Sequence, residues 1–246
     1  PIVTYFEAIM KAMRRNRRVT WEDYEAARKS ISLARAVGVD AYTSADLRFA
    51  TQNLEDVTVR GVSGNIIEME ATEVAIGRYV SESDGQHRTM VAFIGQDVVE
   101  RLFPLVDPIG KTLLVGGRPF EVVGVAKRLG SIFGQSQDNF IHIPIHTFLK
   151  IYGQNRDLAV HVLCHSPEWM SRTREQAVVL MRARRHLRPG EEDNFGIIAS
   201  ATLMDLWHQL TGAFANATVG VVSIFLVIGG IVIMNIMLAS VTERTH

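Results

Sequence analysis

Gly110-Lys111-Thr112 has the residue types that end a phosphate-binding loop, in which backbone N–H groups and a lysine hold phosphates. That motif also requires a glycine five residues before Gly110, and Leu105 occupies this position. We therefore interpret the three residues as a turn that leads into a strand. The pattern predicts no nucleotide cofactor at this point of the chain.

Two pairs of histidines have the four-residue spacing that metal ligands take on a helix. Between His142 and His146 lies a proline, which breaks the helix needed to bring both rings to one face. His161 and His165 would share one face of a strand, while Cys164 would point to the other. No serine lies in the local context of a nucleophile elbow. We therefore expect no catalytic residue, no metal site and no cofactor.

The charge pattern is balanced over the whole chain. The net charge of the 246 residues is zero, which argues against a nucleic-acid partner. The basic run Lys11 to Arg18 is interpreted as a solvated segment, with contact to lipid head groups as the alternative. A single cysteine excludes an internal disulfide framework, so a packed core must stabilise any folded domain.

The chain is organised around one uncharged stretch, Thr218 to Val241. At about 1.5 Å per residue, this stretch is long enough to cross a hydrocarbon core of about 30 Å. We predict a transmembrane helix over 218–241, with residues 1–212 on one side of the membrane. The positive-inside rule places Glu243 and Arg244, the start of a segment at 242–246, in the cytoplasm.

Three residues of this stretch are typical of contacts between membrane helices. Gly229 and Gly230 would allow another helix to approach closely, and a buried amide such as that of Asn235 needs a partner across the interface. We predict that these residues pack against other membrane helices. Simple tolerance of glycine in lipid stays open as the alternative.

The helix is predicted to begin well before the membrane. Thr202 starts a capping signal, and only a single glycine then interrupts the helical pattern before the span. About forty residues at about 1.5 Å each would make a rod of roughly 60 Å. We predict a helical stalk over 202–217, which includes Leu206, Trp207 and Leu210.

Residues 1–212 show a mixture of helix and strand patterns that predicts an α+β fold. Thr20 begins a capping signal, and residues 112–125 have the pattern of a β-hairpin. We predict a two-lobed extracytoplasmic domain followed by a transmembrane α-helix. One lobe would combine 1–75 with 155–205 near the membrane, and 76–154 would form an inserted, strand-rich lobe.

The end of the chain, Gly229 to Thr245, resembles the second transmembrane helix of MacB/FtsX-type ABC transporter permeases. Earlier pieces resemble the periplasmic core domain of that family and follow the family's order. These pieces are Gly77-Arg78-Tyr79, Val91 to Gly95, Asp107 to Lys111, Phe120 to Val125 and Ile143-Pro144. The resemblance covers nearly the whole chain and implies a MacB-like periplasmic core domain with the membrane helix that follows it.

The resemblance also implies how the protein works. Such a permease transmits ATP-driven motion from the cytoplasm to the periplasm for efflux or export, and it lies in the bacterial cytoplasmic (inner) membrane with residues 1–212 in the periplasm. The implied partners are an ABC ATPase subunit or domain, a second permease copy, a periplasmic adaptor protein and membrane lipid. Because the family's first, third and fourth membrane helices are absent and the chain starts at Pro1, we expect a piece of a longer protein.

Two other classes of protein stay open at this point. A single-span membrane receptor or sensor would use 1–210 as an extracytoplasmic ligand-binding domain, and it would not need Gly229, Gly230 and Asn235 to contact further helices. A membrane-anchored hydrolase would need a nucleophile, and the sequence offers no context for one.

Overall fold

The computed structural model describes the backbone of residues 16–244, apart from Phe133 and Ala199. Within the last helix it describes the side chains of 211–234 except Ala213. Most of the basic run Lys11 to Arg18 therefore lies outside the described residues, and its predicted role stays a prediction.

The chain divides into two compact units, with the boundary between Gly196 and Ile197. The strands of the first unit are β1 (Ala34–Phe49), β2 (Gln52–Val62), β3 (Val74–Gly77), β4 (Val91–Ile94), β5 (Thr112–Val115), β6 (Arg118–Ala126), β7 (Ser131–Ile132), β8 (Gln135–Ser136), β9 (Phe140–Pro144) and β10 (Ala159–Cys164). Its helices are α1 (Trp21–Ser30), α2 (Glu82–Gln86), α3 (Gln96–Leu102), α4 (Ile145–Tyr152) and α5 (Met170–Arg184), with 3-10 turns at Ile66–Glu68 and Pro167–Trp169. The second unit contains α6 (Ser200–Arg244).

The first helix begins as its sequence predicts. The Thr20 hydroxyl accepts a hydrogen bond from the Asp23 N–H, and the Asp23 carboxylate accepts one from the Thr20 N–H. This capping box satisfies two N–H groups that a helix leaves without partners at its start. It fixes the carboxylate of Asp23 at the first turn of α1, where it is 7% exposed.

Eight of the strands form one mixed sheet. The order is β10-β1-β2-β9-β4-β6-β3, and β5 pairs with both β1 and β6. The pairs β2–β9 and β4–β6 are parallel, and the others are antiparallel. The predicted hairpin is confirmed as β5 and β6, which pair from Thr112–Glu121 to Val115–Arg118.

The apolar pattern predicts two short strands, Val39 to Tyr42 and Leu47 to Ala50, but in the structure both segments up to Phe49 belong to the single strand β1. It runs for 16 residues and pairs with β10 in its first half and β2 over most of its length. An irregularity between Ala45 and Leu47 shifts the register with β2, and Leu47 and Arg48 also pair with β5. Such a bulge bends a strand, so β1 can pair with β10 in its first half and with β5 near its end.

One face of the sheet carries the main core. Alternate residues on the central strands, such as Val39, Val59 and Ile141, are fully buried there. At Gly61 an added Cβ would lie 2.3 Å from the Cβ of Phe148, so only glycine lets α4 approach this closely.

The opposite face of the sheet is covered by the segment that follows β2. Val62, Phe93 and Phe140 on the strands pack with Ile66 and Val80 of this segment in a smaller buried cluster. Since both faces are covered, polar residues on the second face can become buried as well, and Asp40 is only 5% exposed.

The α+β class and the membrane helix at the end of the chain are confirmed, but the division within the domain differs from the predicted one. Strand β2 pairs with β9, and β1 pairs with β5, across the predicted lobe boundaries at 75/76 and 154/155. Residues from both sides, such as Val59 and Ile141, belong to the same core cluster. The strands of 76–154 complete the sheet that the flanking segments begin, so these boundaries do not separate two cores.

Candidate functional site in the membrane helix and beside the sheet

Helix α6 contains the stretch that could cross a membrane. It has 45 residues. Within it, Phe214–Met234 has a mean hydropathy of 2.6, and none of its most apolar window is buried. An apolar helix surface that is exposed over this length is typical of a segment surrounded by lipid. Among the described residues, this is the one helix long and apolar enough to span a bilayer.

Two hydroxyl side chains inside this stretch are satisfied within the helix. The Thr218 hydroxyl donates to the Phe214 carbonyl over 2.9 Å, and the Ser223 hydroxyl donates to the Val219 carbonyl over 2.8 Å. Hydroxyls that bond to the carbonyl four residues earlier have no need of water. These two residues are therefore compatible with the apolar interior of a bilayer.

The predicted packing residues lie on α6. Gly229 and Gly230 fall within Phe214–Met234, and among the described residues no atom outside the local helix backbone approaches within 4 Å of where their Cβ would be. Asn235 is the next residue after this stretch, and its side chain lies outside the described part. Contact of the three residues with further helices stays a prediction.

The predicted stalk and coupling residues also lie on the same continuous helix. Leu206, Trp207 and Leu210 belong to its first part, and Glu243 and Arg244 are its last two residues. Their side chains are outside the described part of the chain, so the backbone alone bears on them. The backbone stays helical through Gly212, as the stalk prediction requires.

A partly buried charge cluster links four segments on the second face of the sheet. Arg60 on β2 donates to Asp40 on β1 through Nε (2.9 Å) and Nη2 (2.5 Å), and to Glu70 through Nη2 (2.6 Å) and Nη1 (3.2 Å). On the other side of Asp40, the Nε2 atom of His161 on β10 lies 2.9 Å from Oδ1. The cluster therefore connects β10, β1, β2 and the segment that covers the sheet.

The electrostatics of the cluster favour its ionised form. Burial alone would raise the pKa of Asp40, but the hydrogen bond from His161 and the guanidinium of Arg60 hold this pKa below its usual value. Burial alone would lower the pKa of Arg60, yet the hydrogen bonds and charges of Glu70 and Asp40 raise it. Each charge thus depends on its partners.

A second polar pair lies beside this cluster. The Tyr79 hydroxyl is 2.8 Å from Nδ1 of His142, whose ring is 2% exposed and packs against the ring of Phe140. Burial raises the pKa of Tyr79, so its hydroxyl stays protonated and donates to Nδ1. Burial, together with the charge of Arg60, lowers the pKa of His142 to about 3.

The motifs that resemble chemical sites have structural partners instead. Gly110 adopts a positive φ of 74° in a turn directly before β5, as predicted. His142 bonds to Tyr79, and the ring of His146 lies 4.7 Å from that of Trp21. Within the described residues, no group of three or more His, Cys, Asp or Glu is arranged to hold a metal ion.

The sequence patterns missed the Arg60 cluster. Asp40, Arg60 and Glu70 lie far apart along the chain, and each reads alone as an exposed charge. The available signal was a charged residue, Arg60, between the apolar residues Val59 and Val62 at the end of β2. Its partners follow only from the strand register, in which Tyr42 faces Arg60 and Asp40 is its diagonal neighbour.

A mixed sheet followed by one long apolar helix is the architecture of a folded domain attached to a candidate membrane helix. The chain belongs to the family of the MacB-like periplasmic core domain, whose model matches residues 3–179. The resemblance noted in the sequence is thereby confirmed.

Relatives of known name support the same assignment. The chain is 29% identical over 231 residues to the macrolide export ATP-binding/permease protein MacB of Bdellovibrio bacteriovorus, covering 93% of this chain and 35% of that protein. It is 34% identical over 206 residues to the protein of the same name from an Azoarcus species, covering 82% and 31%. The chain thus spans about a third of the length of these curated relatives.

Two solved structures share the fold. The periplasmic region of MacB from Actinobacillus actinomycetemcomitans matches with a TM-score of 0.66 and 20% identity, over 77% of this chain and 83% of that one. The extracellular domain of the noncanonical ABC-type transporter YknZ from Gram-positive bacteria matches with a TM-score of 0.60 and 22% identity, over 70% and 86%.

Proposed function

We propose that this chain is the periplasmic and transmembrane part of an ABC transporter permease, which transmits ATP-driven motion from the cytoplasm to the periplasm. The observation that supports this most directly is the unbroken helix α6. Its 45 residues correspond to about 67 Å at about 1.5 Å per residue. The predicted span, 218–241, accounts for 24 of them.

A continuous helix suits this role because it is stiff along its axis. The part of α6 before the predicted span, 200–217, adds about 27 Å at about 1.5 Å per residue. Gly212 costs about 1 kcal/mol relative to alanine in a helix, and the backbone nevertheless stays helical there. Displacement at one end of such a rod reaches the other end without being absorbed by a flexible linker.

The proposed partners follow from the relatives. They are named ATP-binding/permease proteins, and the chain spans about a third of their length, so we place the ATPase in a separate subunit or in another part of the protein. A second permease copy, a periplasmic adaptor protein and membrane lipid complete the proposed set. The proposed location is the bacterial inner membrane, with 1–212 in the periplasm. Because the relatives are named for macrolide export, macrolides are the first cargo to test.

We further infer that the domain has no hydrolytic or metal-dependent activity. His161 bonds to Asp40 within the charge cluster, and His142 bonds to Tyr79, so both rings already have structural partners. Elemental analysis of the purified protein is expected to find no stoichiometric zinc. A bound zinc that disappears when His161 and His165 are replaced would contradict this inference.

The rod function can be tested by inserting seven glycines after Gln209 in the complete transporter. ATP hydrolysis is expected to continue, while the ATP-driven change in the distance between labels on the periplasmic domains of two copies is lost, along with macrolide export. The physical reason is that consecutive glycines make a flexible segment where the helix was stiff.

The matched control is an insertion of seven alanines at the same place. Alanine favours the helix, and seven residues turn it by close to two full turns, so stiffness and facing are kept while the length grows by about 10 Å. The alanine variant should keep the ATP-driven movement. Full movement and export in the glycine variant would show that α6 does not act as a rod.

A further inference from the structure

The first unit ends at Gly196, and the chain then continues towards α6. Two residues before this point, Asn194 is fastened by three hydrogen bonds. Its backbone carbonyl accepts from the Arg17 N–H and from Nη1 of Arg185, both over 2.8 Å, and its Oδ1 atom accepts from the same Nη1 over 3.1 Å. A force applied at Gly196 therefore acts first on the hydrogen bonds of Asn194.

Arg185, the residue directly after α5, makes most of the contacts at this exit. Its side chain is 7% exposed, and its guanidinium lies 5.8 Å from the ring centre of the buried Phe195. It also donates to the carbonyls of Arg17 (3.2 Å) and Arg18 (3.1 Å). One buried guanidinium thus joins the last residues of the domain to its first described segment.

A carboxylate extends the contact from Arg185 into the sheet. Asp23 lies 3.6 Å from Nη2 of Arg185 and accepts a hydrogen bond of 2.8 Å from Nε of Arg184. Although burial alone would raise the pKa of Asp23, the bonds from Arg184 and the Thr20 N–H and both guanidinium charges hold this pKa below its usual value. Asp23 belongs to the capping box of α1, and α1 packs against β1.

Residues 16–19, whose carbonyls at Arg17 and Arg18 accept hydrogen bonds from Arg185, also contact the residues directly before strand β10. The Val19 N–H donates to the Asp157 carboxylate over 3.0 Å, and the Leu158 N–H donates to the Val19 carbonyl over 3.2 Å. Leu158 directly precedes β10. From Arg185, connected contacts therefore lead to β1 through α1 and to β10 through residues 16–19.

We propose that Arg185 is a positioning residue that anchors the exit of the domain, so that displacement of α6 moves the whole sheet. This inference rests on the proposed function and names the residue through which the motion enters the domain. Without the guanidinium, a displacement of α6 would move residues 194–196 before it moved the sheet. A long, planar donor is needed because carbonyls on two segments are bridged at once.

The anchor itself is tested by hydrogen exchange on the full chain with Arg185→Met. The amide of Arg17, which bonds to Asn194, is expected to exchange at least tenfold faster, while the amides of β1 and β2 keep their rates. Arg172→Met is the matched control on α5, because the Arg172 guanidinium lies over the ring of Trp169, 5.3 Å away, and not at the exit. Equal exchange at Arg17 in all three proteins would overturn the anchor.

Its role in transmission is tested in the complete transporter with a nitroxide on a non-canonical amino acid at exposed Asn53. ATP should change the label distance between two copies in the wild type and in Arg172→Met, and at least half of this change should be lost in Arg185→Met. A disulfide from Arg17→Cys with Asn194→Cys, in a Cys164→Ser background, should restore it. The backbone hydrogen bond of 2.8 Å between these positions brings their Cα atoms within bridging range.

The outcomes separate the two proposals. If the wild type shows no ATP-driven change, the proposed function fails, and the role of Arg185 fails with it. If the wild type and Arg185→Met change equally, transmission stands but Arg185 is not its entry point. If the disulfide fails to restore a change that Arg185→Met has lost, Arg185 acts in another way than by joining the two segments, and the inference is wrong.

Discussion

Replacement of Arg60 by methionine is expected to lower the free energy of unfolding of the domain by about 3–5 kcal/mol, because the carboxylates of Asp40 and Glu70 lose the guanidinium that they share. The side chain of Asp40 is 7% exposed and that of Glu70 is 20% exposed, and Arg60 donates to both. Methionine fills a similar volume, so the loss measures charge more than packing. Urea unfolding of residues 1–196 at pH 7, followed by circular dichroism, is the measurement.

Two further variants make this result specific. Arg48→Met removes an exposed arginine from β1 and should change the stability by less than about 0.5 kcal/mol. Adding Asp40→Asn and Glu70→Gln to Arg60→Met should recover part of the loss, since the unpaired charges are then gone. The opposite outcome is a triple variant that is less stable than Arg60→Met by the sum of the losses that Asp40→Asn and Glu70→Gln each cause in the wild type. In that case the three residues would not act as one cluster.

The second large effect is the loss of stability of the domain at low pH. His142 has a pKa of about 3 in the folded domain, far below the ordinary value, because it is buried. Below about pH 6.5 the unfolded chain binds a proton at this residue and the folded domain does not, so stability is highest above that pH. As the pH falls from about 6 to about 4, protonation of His142 in the unfolded chain should lower the free energy of unfolding by about 1.4 kcal/mol per pH unit.

The measurement compares urea unfolding of the wild type and His142→Gln across this pH range. Glutamine can accept from the Tyr79 hydroxyl but does not titrate, so the difference between the two curves isolates His142. His87→Gln, at an exposed histidine, should run parallel to the wild type. Parallel curves for His142→Gln as well would mean that His142 takes up its proton in the folded domain.

Much of the local structure could be predicted from the sequence, because local patterns carry it. The capping box at Thr20, the hairpin over 112–125 and the continuous helix that carries the span each depend on residues a few positions apart. The long strand β1 is a different case. Three of its residues 43–46 are polar and suggest a loop, yet in the structure the four residues alternate between half-buried and exposed within one strand.

The features that escaped prediction depend on contacts distant in sequence. Arg60 lies on the face of β2 opposite to Val59, and a one-sided sheet would leave it in water. It is buried because a segment later in the chain covers that face. Similarly, arginines cluster at the end of α5, and the sequence alone does not indicate that Arg185 is the one with a side chain 7% exposed.

The strand order also determines when the domain can fold as its chain is made. Strand β9 lies between β2 and β4, and β10 borders β1, so strands made late in synthesis insert among and beside the early ones. A part of the chain that ends before β10 does not contain the full set of neighbours for β1 and β2. The sheet is therefore complete only once the chain has been made as far as Cys164, and until then the edges of β1 and β2 are exposed to whatever chaperones or proteases surround the emerging chain.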